Sequence, residues 1–378
     1  MVESRVSFFG YIAFVLSTSA MGAWDFSTMN KVMQSESSAS HLGVVSLRPW
    51  LDREKTLGAL DIGGFVGSQD GVIGELRPGE VVSIDLKRDV KKWVFKGDVN
   101  VSAPIVLNRE ALYVAFADGL IVRLDRHTGE VKWRVTVPNM VTRAMTIGQG
   151  KLYFVTGMQE LGALDIQTGK QEWIVDSSRP SGIQISTIAP PLIEGGQVII
   201  GTNIGRIEGF DAKTGVRSFS NNLGAIEGRF GDIIASPIVV GQLLIAARYD
   251  GLVAAYDRRS LDKAPIWKVR LSSITDMKTF AGGIYLTSAS GELIALNLKD
   301  GSVVWKAKLE EALSVIEMRE TSILVSGPSG IVAQVERSSG NVQWKEVLDS
   351  KIVTPPIYYE DGIWFSTGLG NLYGYSIK

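Results

Sequence analysis

The chain has 378 residues, 45% of them hydrophobic, and a formal net charge of −1. Such a balanced charge excludes a global field that would draw in nucleic acid or an anionic membrane. With no cysteine and only His41 and His127 as imidazoles, it also excludes disulfides, thiolate metal sites, a cysteine nucleophile, a lipid-modified N-terminal cysteine and His/Cys metal clusters.

The N-terminus carries Arg5 ahead of an apolar run over residues 6–16, then the small residues Ser17-Thr18-Ser19-Ala20. Eleven apolar residues are too few to span a bilayer as a helix, but they suit the core of a secretory signal. Residues 1–20 are therefore expected to be a signal peptide cleaved after Ala20, with Gly22 or Ala23 as alternative sites. Residues 21–42, with the serine-rich stretch Ser35-Glu36-Ser37-Ser38-Ala39-Ser40, read as a flexible linker.

Length alone would allow two or three domains, but residues 43–378 read as one. From about residue 80 a short pattern recurs, as in Ala163-Leu164-Asp165-Ile166-Gln167-Thr168-Gly169-Lys170-Gln171-Glu172-Trp173. Asp85 and Trp93, Asp125 and Trp133, Asp165 and Trp173, and Asp211 and Phe219 are each eight residues apart. Asn297 to Trp305 and Glu336 to Trp344 keep the interval, and Asp257 to Trp267 is longer by two. A period near forty residues marks a repeat architecture.

Each repeat holds four short β-type segments. In one of them residues 103–106, 111–116, 120–124 and 131–135 alternate with turns at Asp118-Gly119 and Thr128-Gly129. Strands of β-branched and aromatic residues at this spacing, with no helical period, predict an all-β chain of four-stranded antiparallel units, a β-propeller. Third strands fall at about 81–86, 119–125, 160–165, 206–211, 251–257, 291–297, 330–336 and 371–377, which makes eight blades. The outer Trp/Phe strand occurs only seven times. The last blade then lacks its outer strand, and an open sheet edge must be covered. Residues 44–50 are predicted to cover it, closing the ring, with residues 57–65 opening blade 1.

The repeated residues have structural readings. The Trp row packs between neighbouring blades. The Asp before each turn accepts backbone N–H groups, and Gly supplies a positive φ. Pro104, Pro191, Pro237 and Pro356 share a slot in the innermost strand, whose free edge needs no donor.

Function is expected where the period breaks. Trp-to-Trp spacing is 40 at Trp93 to Trp133 and again to Trp173, then 46 to Phe219 and 48 to Trp267. About six extra residues therefore lie in each of two consecutive connections, 174–187 and 220–233. Both join an outer strand to the next inner strand, so they emerge on one face. Their apolar residues Ile183, Ile185, Phe230 and Ile234, beside Ser186, Arg229 and Asp232, have the character of an apolar anchor with a polar rim, which suits a protein partner.

The Asp-x-x-Thr-Gly-x-x-x-Trp pattern resembles the repeat of the pyrroloquinoline-quinone dehydrogenases, eight-bladed propellers that hold the quinone and a Ca²⁺ in the channel. That resemblance implies the alternative of a quinone-dependent or other ligand-binding propeller. The chain departs from it by having no vicinal cysteines and no clustered Asp/Glu/Asn set outside the turns, so no catalytic residue, cofactor or metal is expected. An exported propeller of this size with these two long connections more closely resembles the BamB family, the propeller subunit of the bacterial outer-membrane β-barrel assembly machinery. The resemblance implies a non-catalytic periplasmic scaffold whose connections contact POTRA domains of the subunit BamA. Fold physics adds unfolded outer-membrane proteins as further partners, since extended strands can be handed on by β-augmentation. Ile183-Gln184-Ile185-Ser186 stands where the family has Leu-x-Leu-Arg. Arg229-Phe230-Gly231-Asp232-Ile233-Ile234 stands where it has Arg-x-x-Asp-x-Asp. Ser186 and Ile234 thus replace charged residues. Without cysteine, the chain also lacks the lipidation typical of that family.

Overall fold

The computed structural model describes residues 41–46, 64–68, 71–88, 90–177, 189–223, 231–261, 263–352, 356–360 and 362–376. The predicted signal segment and residues 21–40 of the predicted linker lie outside these. The described residues form eight four-stranded antiparallel sheets and no helix. Blades 1 to 7 are each continuous in sequence, spanning 65–96, 106–136, 146–176, 192–222, 238–270, 274–308 and 315–347. In each of them the four strands are hydrogen-bonded in chain order, from the inner strand to the outer.

Blade 8 takes three strands from the C-terminus and its outer strand from the N-terminus. His41–Ser46 pairs antiparallel with Asn371–Ser376, with Val44 opposite Tyr373 and Val45 opposite Leu372. The closing strand thus begins three residues before the predicted stretch at 44. The first described strand of blade 1 is Phe65–Ser68, where the predicted opening stretch 57–65 ends; residues 57–63 of that stretch lie outside the described residues. The inner strands of blades 1 and 8 adjoin so closely that any side chain at Gly67 would strike the Tyr358 carbonyl.

The core is distributed rather than central. Eight buried apolar clusters each span two neighbouring blades, from Phe65, Val72, Ile357 and Trp364 between blades 1 and 8 to Leu324, Phe365 and Tyr375 between 7 and 8. Because sheet side chains alternate between faces, each blade contributes to two clusters.

The repeat explains how blades join. Asp165 accepts the Gln167 and Thr168 N–H groups at 3.1 and 2.8 Å and the Thr168 hydroxyl at 2.7 Å. This turn holds Gly169 at φ 73°. The Trp133 ring of the preceding blade lies against that glycine, and a Cβ there would sit 2.7 Å from the ring. The Trp133 indole donates to the Ile166 carbonyl at 3.1 Å. Trp93, Trp267 and Trp305 dock in the same way on Gly129, Gly301 and Gly340, donating to Arg126, Leu298 and Arg337. A β-bulge next to the Trp turns the outer strand in six blades, as where Ala163 faces Trp173 but Leu164 faces Gln171. Blade 5, with its longer hairpin, has none.

Replacing Trp133 with Ala is expected to lower stability by about 3–5 kcal/mol, as for other large buried rings. Gly169→Ala should also be destabilising, because it adds both a collision and an unfavourable φ. Denaturant unfolding of the two variants checks both. The turn carboxylates predict a pH signature as well. Asp165 and Asp211 titrate below the usual carboxylate range, chiefly because the Thr168 and Thr214 hydroxyls donate to them. Their contribution is therefore complete above the unfolded pKa and lost as pH falls through the lower folded value. The stability difference between the native chain and Asp165→Ala should shrink on acidification below about pH 4, the unperturbed aspartate value.

Candidate functional site

In an antiparallel blade, the turns between second and third strands share a face with the connections to the next blade. The Asp-Thr-Gly hairpins lie on the opposite face. The two lengthened connections, from blade 3 to 4 and from 4 to 5, therefore flank the second-to-third-strand turns of blades 3, 4 and 5. Ile183, Ile185, Ser186, Arg229 and Phe230 lie outside the described residues. Asp232 and Ile234 are described. Ile234 is half-buried, and Asp232 is only 2% exposed. The Asp232 carboxylate thus faces the interior at the end of its connection, and its backbone carbonyl accepts the Tyr249 N–H at 2.8 Å.

The interior beneath this face is polar. Arg143, 3% exposed, donates to the Gly201 carbonyl at 2.8 Å and to Gln159 Oε1 at 3.0 Å, with Asn203 Oδ1 at 3.4 Å. One side chain thereby joins blades 3 and 4. Burial brings the Arg143 guanidinium down to about 10, and the Asp232 charge works against that drop. A second buried arginine, Arg248, is fully enclosed and forked onto Asp250, with Nε to Oδ1 at 2.9 Å. Burial pushes the Asp250 carboxyl up, but hydrogen bonding and charge from Arg248 outweigh it and leave the group below its ordinary value. Arg270 approaches the same carboxylate at 3.6 Å.

The starts of the inner strands are pinned as well. The Thr146 hydroxyl donates to the Pro191 carbonyl at 2.7 Å, and the Ser236 hydroxyl to the Pro190 carbonyl at 3.1 Å. Pro104, Pro191, Pro237 and Pro356 each fall just before the inner strand of their blade, where no ladder donor is needed.

Arg143, Arg248 and Asp250 were not legible as site residues from motif spacing. A weak signal existed for Arg143. It lies two residues after the bridge residue Val141, a slot that Ala103 fills after Val101 in blade 2.

Across the ring, the inner strands of blades 6 to 8 carry Asp276, Lys278, Glu317 and Tyr358. Asp276 accepts the Met277 N–H at 2.8 Å and the Ile316 N–H at 3.1 Å, tying blade 6 to 7. The Tyr358 hydroxyl donates to Glu317, tying 7 to 8. Burial raises the carboxyl pKa of both Asp276 and Glu317. Among the described residues, no three His, Cys, Asp or Glu side chains gather into a set that could hold a metal ion.

Closed eight-fold geometry with an Asp-to-Trp joint at the blade interfaces defines the chain as a quinoprotein-type repeat propeller. Within that class, the model of the family described as outer membrane protein assembly factor BamB matches residues 70–307. The chain belongs to this family. Outer membrane protein assembly factor BamB of Bordetella pertussis is 25% identical over 323 residues, covering 82% of this chain and 83% of the relative. The crystal structure of BamB from Moraxella catarrhalis superposes with a TM-score of 0.75 at 20% identity, covering 90% of this chain and all of that one. A europium-containing methanol dehydrogenase superposes with a TM-score of 0.69 at 14% identity, covering 88% and 93%. Likeness at such identities shows the shared fold alone.

The Arg248–Asp250 pair yields a stability prediction. Asp250→Ala leaves a fully buried guanidinium without its counter-ion, so a loss of about 3–5 kcal/mol is expected. Equilibrium unfolding in urea measures it, and Arg259→Ala, which removes an exposed partner of Asp257, serves as a control expected to change stability little.

Proposed function

We propose that the chain is a non-catalytic scaffold in the assembly of outer-membrane proteins, working in the periplasm against the outer membrane. The observation that carries this reading is membership of the BamB family, with a match that covers more than half of the chain. The relatives' name supplies the process, outer-membrane protein assembly. In this reading the two long connections dock a POTRA domain of BamA. Ile183, Ile185 and Phe230 supply the apolar anchor, and Arg229 and Ser186 the polar rim. Ile234, half-buried, backs the second connection, and buried Asp232 supports it from below. Unfolded outer-membrane proteins would be the cargo. With no cysteine available for lipidation, docking itself would hold the chain at the membrane.

An interface anchored in this way concentrates its energy in a few apolar side chains. Ile185→Arg and Phe230→Arg are each expected to weaken binding to purified POTRA domains at least about tenfold, since a central anchor contributes about 2 kcal/mol. Calorimetry provides the measurement. Undiminished binding by both variants would sink the site assignment. A thermal upshift with pyrroloquinoline quinone and Ca²⁺ would instead favour a cofactor-binding propeller.

A further inference from the structure

The two long connections leave and enter the blades at residues that are described, and one side chain links them. Ser177 directly follows the outer strand of blade 3, Gln171–Asp176, in the first connection. Its N–H and hydroxyl both donate to the Gln159 carbonyl, at 2.9 and 2.6 Å. Gln159 holds a φ of 61°, a left-handed conformation that is uncommon for a residue with a side chain and persists only where its surroundings enforce it. Its amide oxygen accepts from Arg143 at 3.0 Å.

The other end of the Arg143 guanidinium reaches the second connection. It donates to the Gly201 carbonyl at 2.8 Å. Gly201 lies directly against Ile233, and any side chain at that glycine would collide with it. The next carbonyl, that of Thr202, accepts the Ile233 N–H at 3.1 Å. Asp232 and Ile233 are buried where the second connection returns to blade 5, and the Asp232 charge acts on Arg143. The path from Ser177 through Gln159, Arg143 and Gly201 to Ile233 therefore runs across three blades with one guanidinium at its centre.

Burying an arginine this deeply is unfavourable unless its donors are met. The slot it occupies takes Ala103 in blade 2, so the fold does not require a charge there. We propose that Arg143 is the positioning residue of the docking face. It locks to one another the end of the first long connection that leaves blade 3 and the end of the second that enters blade 5. This role rests on the docking reading above, whereas the locking itself is a property of the free protein.

The experiment uses the full chain and two readouts, hydrogen exchange of the free protein and affinity for purified POTRA domains. Arg143→Met is expected to speed exchange at least tenfold in peptides spanning 177–189 and 223–234. Peptides from blades 6 to 8 should be unchanged. Affinity should fall at least fivefold through faster dissociation, with partial recovery in Arg143→Lys, which keeps a donor to the Gly201 carbonyl. Should Arg143→Met fail to fold, the Gln159→Ala/Asn203→Ala double variant, which removes two acceptors and leaves the arginine, carries the same expectations. Unchanged exchange at the two connections, or an equal rise in all blades, overturns the proposal. So does normal affinity despite loosened connections. Loosened connections in a protein whose unaltered form does not bind POTRA domains would instead overturn the docking reading and leave the locking intact.

Discussion

The ring depends on one contact, a Trp ring of one blade laid flat on a glycine in the hairpin of the next. The glycine must lack a Cβ, because a side chain there would fall 2.5–2.7 Å from the ring in blades 2, 3, 4, 6 and 7. It must also adopt a positive φ, which the preceding Asp secures by capturing the turn's N–H groups. The carbonyl of the residue after that Asp, or after the Asn or Glu in its place, accepts the indole N–H at 3.1 Å in four joints. Asp, Gly and Trp are thus three parts of a single inter-blade joint. The eight-residue interval follows from geometry, since within one blade it sets the distance between the joint made backward and the joint made forward.

Where the chain ends, the joint changes form. Trp344 of blade 7 has no Thr-Gly hairpin to meet in blade 8. Its ring stacks instead on Tyr375 with centroids 5.1 Å apart, and its N–H donates to Gln334 within its own blade. Closure passes to the backbone, through the pairing of His41–Ser46 with Asn371–Ser376. A broken ring would expose both a sheet edge and an inter-blade apolar cluster, so sealing the last blade with the first strand stabilises the whole circle rather than one blade.

The repeat made the architecture legible. Turn chemistry and strand alternation are local signals, and eight copies of them reinforce each other. The missing eighth outer strand pointed to an N-terminal one, yet its placement at 41–46 rather than 44–50 depends on register against Tyr373 and Leu372, which no local pattern encodes. Asp232 shows the opposite case. A carboxylate in a polar, Gly-containing connection reads as exposed. In the fold it is buried, with its carbonyl bonded to Tyr249 and its charge acting on Arg143, which lie 17 residues after it and 89 before it. Such partners are brought together only when the blades are stacked. The buried polar residues beneath the long connections were for this reason invisible in the linear pattern, while the lengthening of those connections was not.

The departures from the repeat fall together in space. At the interface of blades 3 and 4, the Trp173 indole N–H has no partner among the described residues, because the Tyr153 hydroxyl donates to the Ala212 carbonyl in its place. At the next interface Phe219 replaces Trp and offers no donor at all, and it meets the one hairpin that is two residues longer. Both interfaces lack the indole-to-carbonyl bond of the other Trp–glycine joints. They are also the two crossed on the opposite face by long connections, and the two under which Arg143, Asp232 and Arg248 are buried. A polar network is directional and requires its partners in one arrangement, whereas an apolar joint tolerates small shifts.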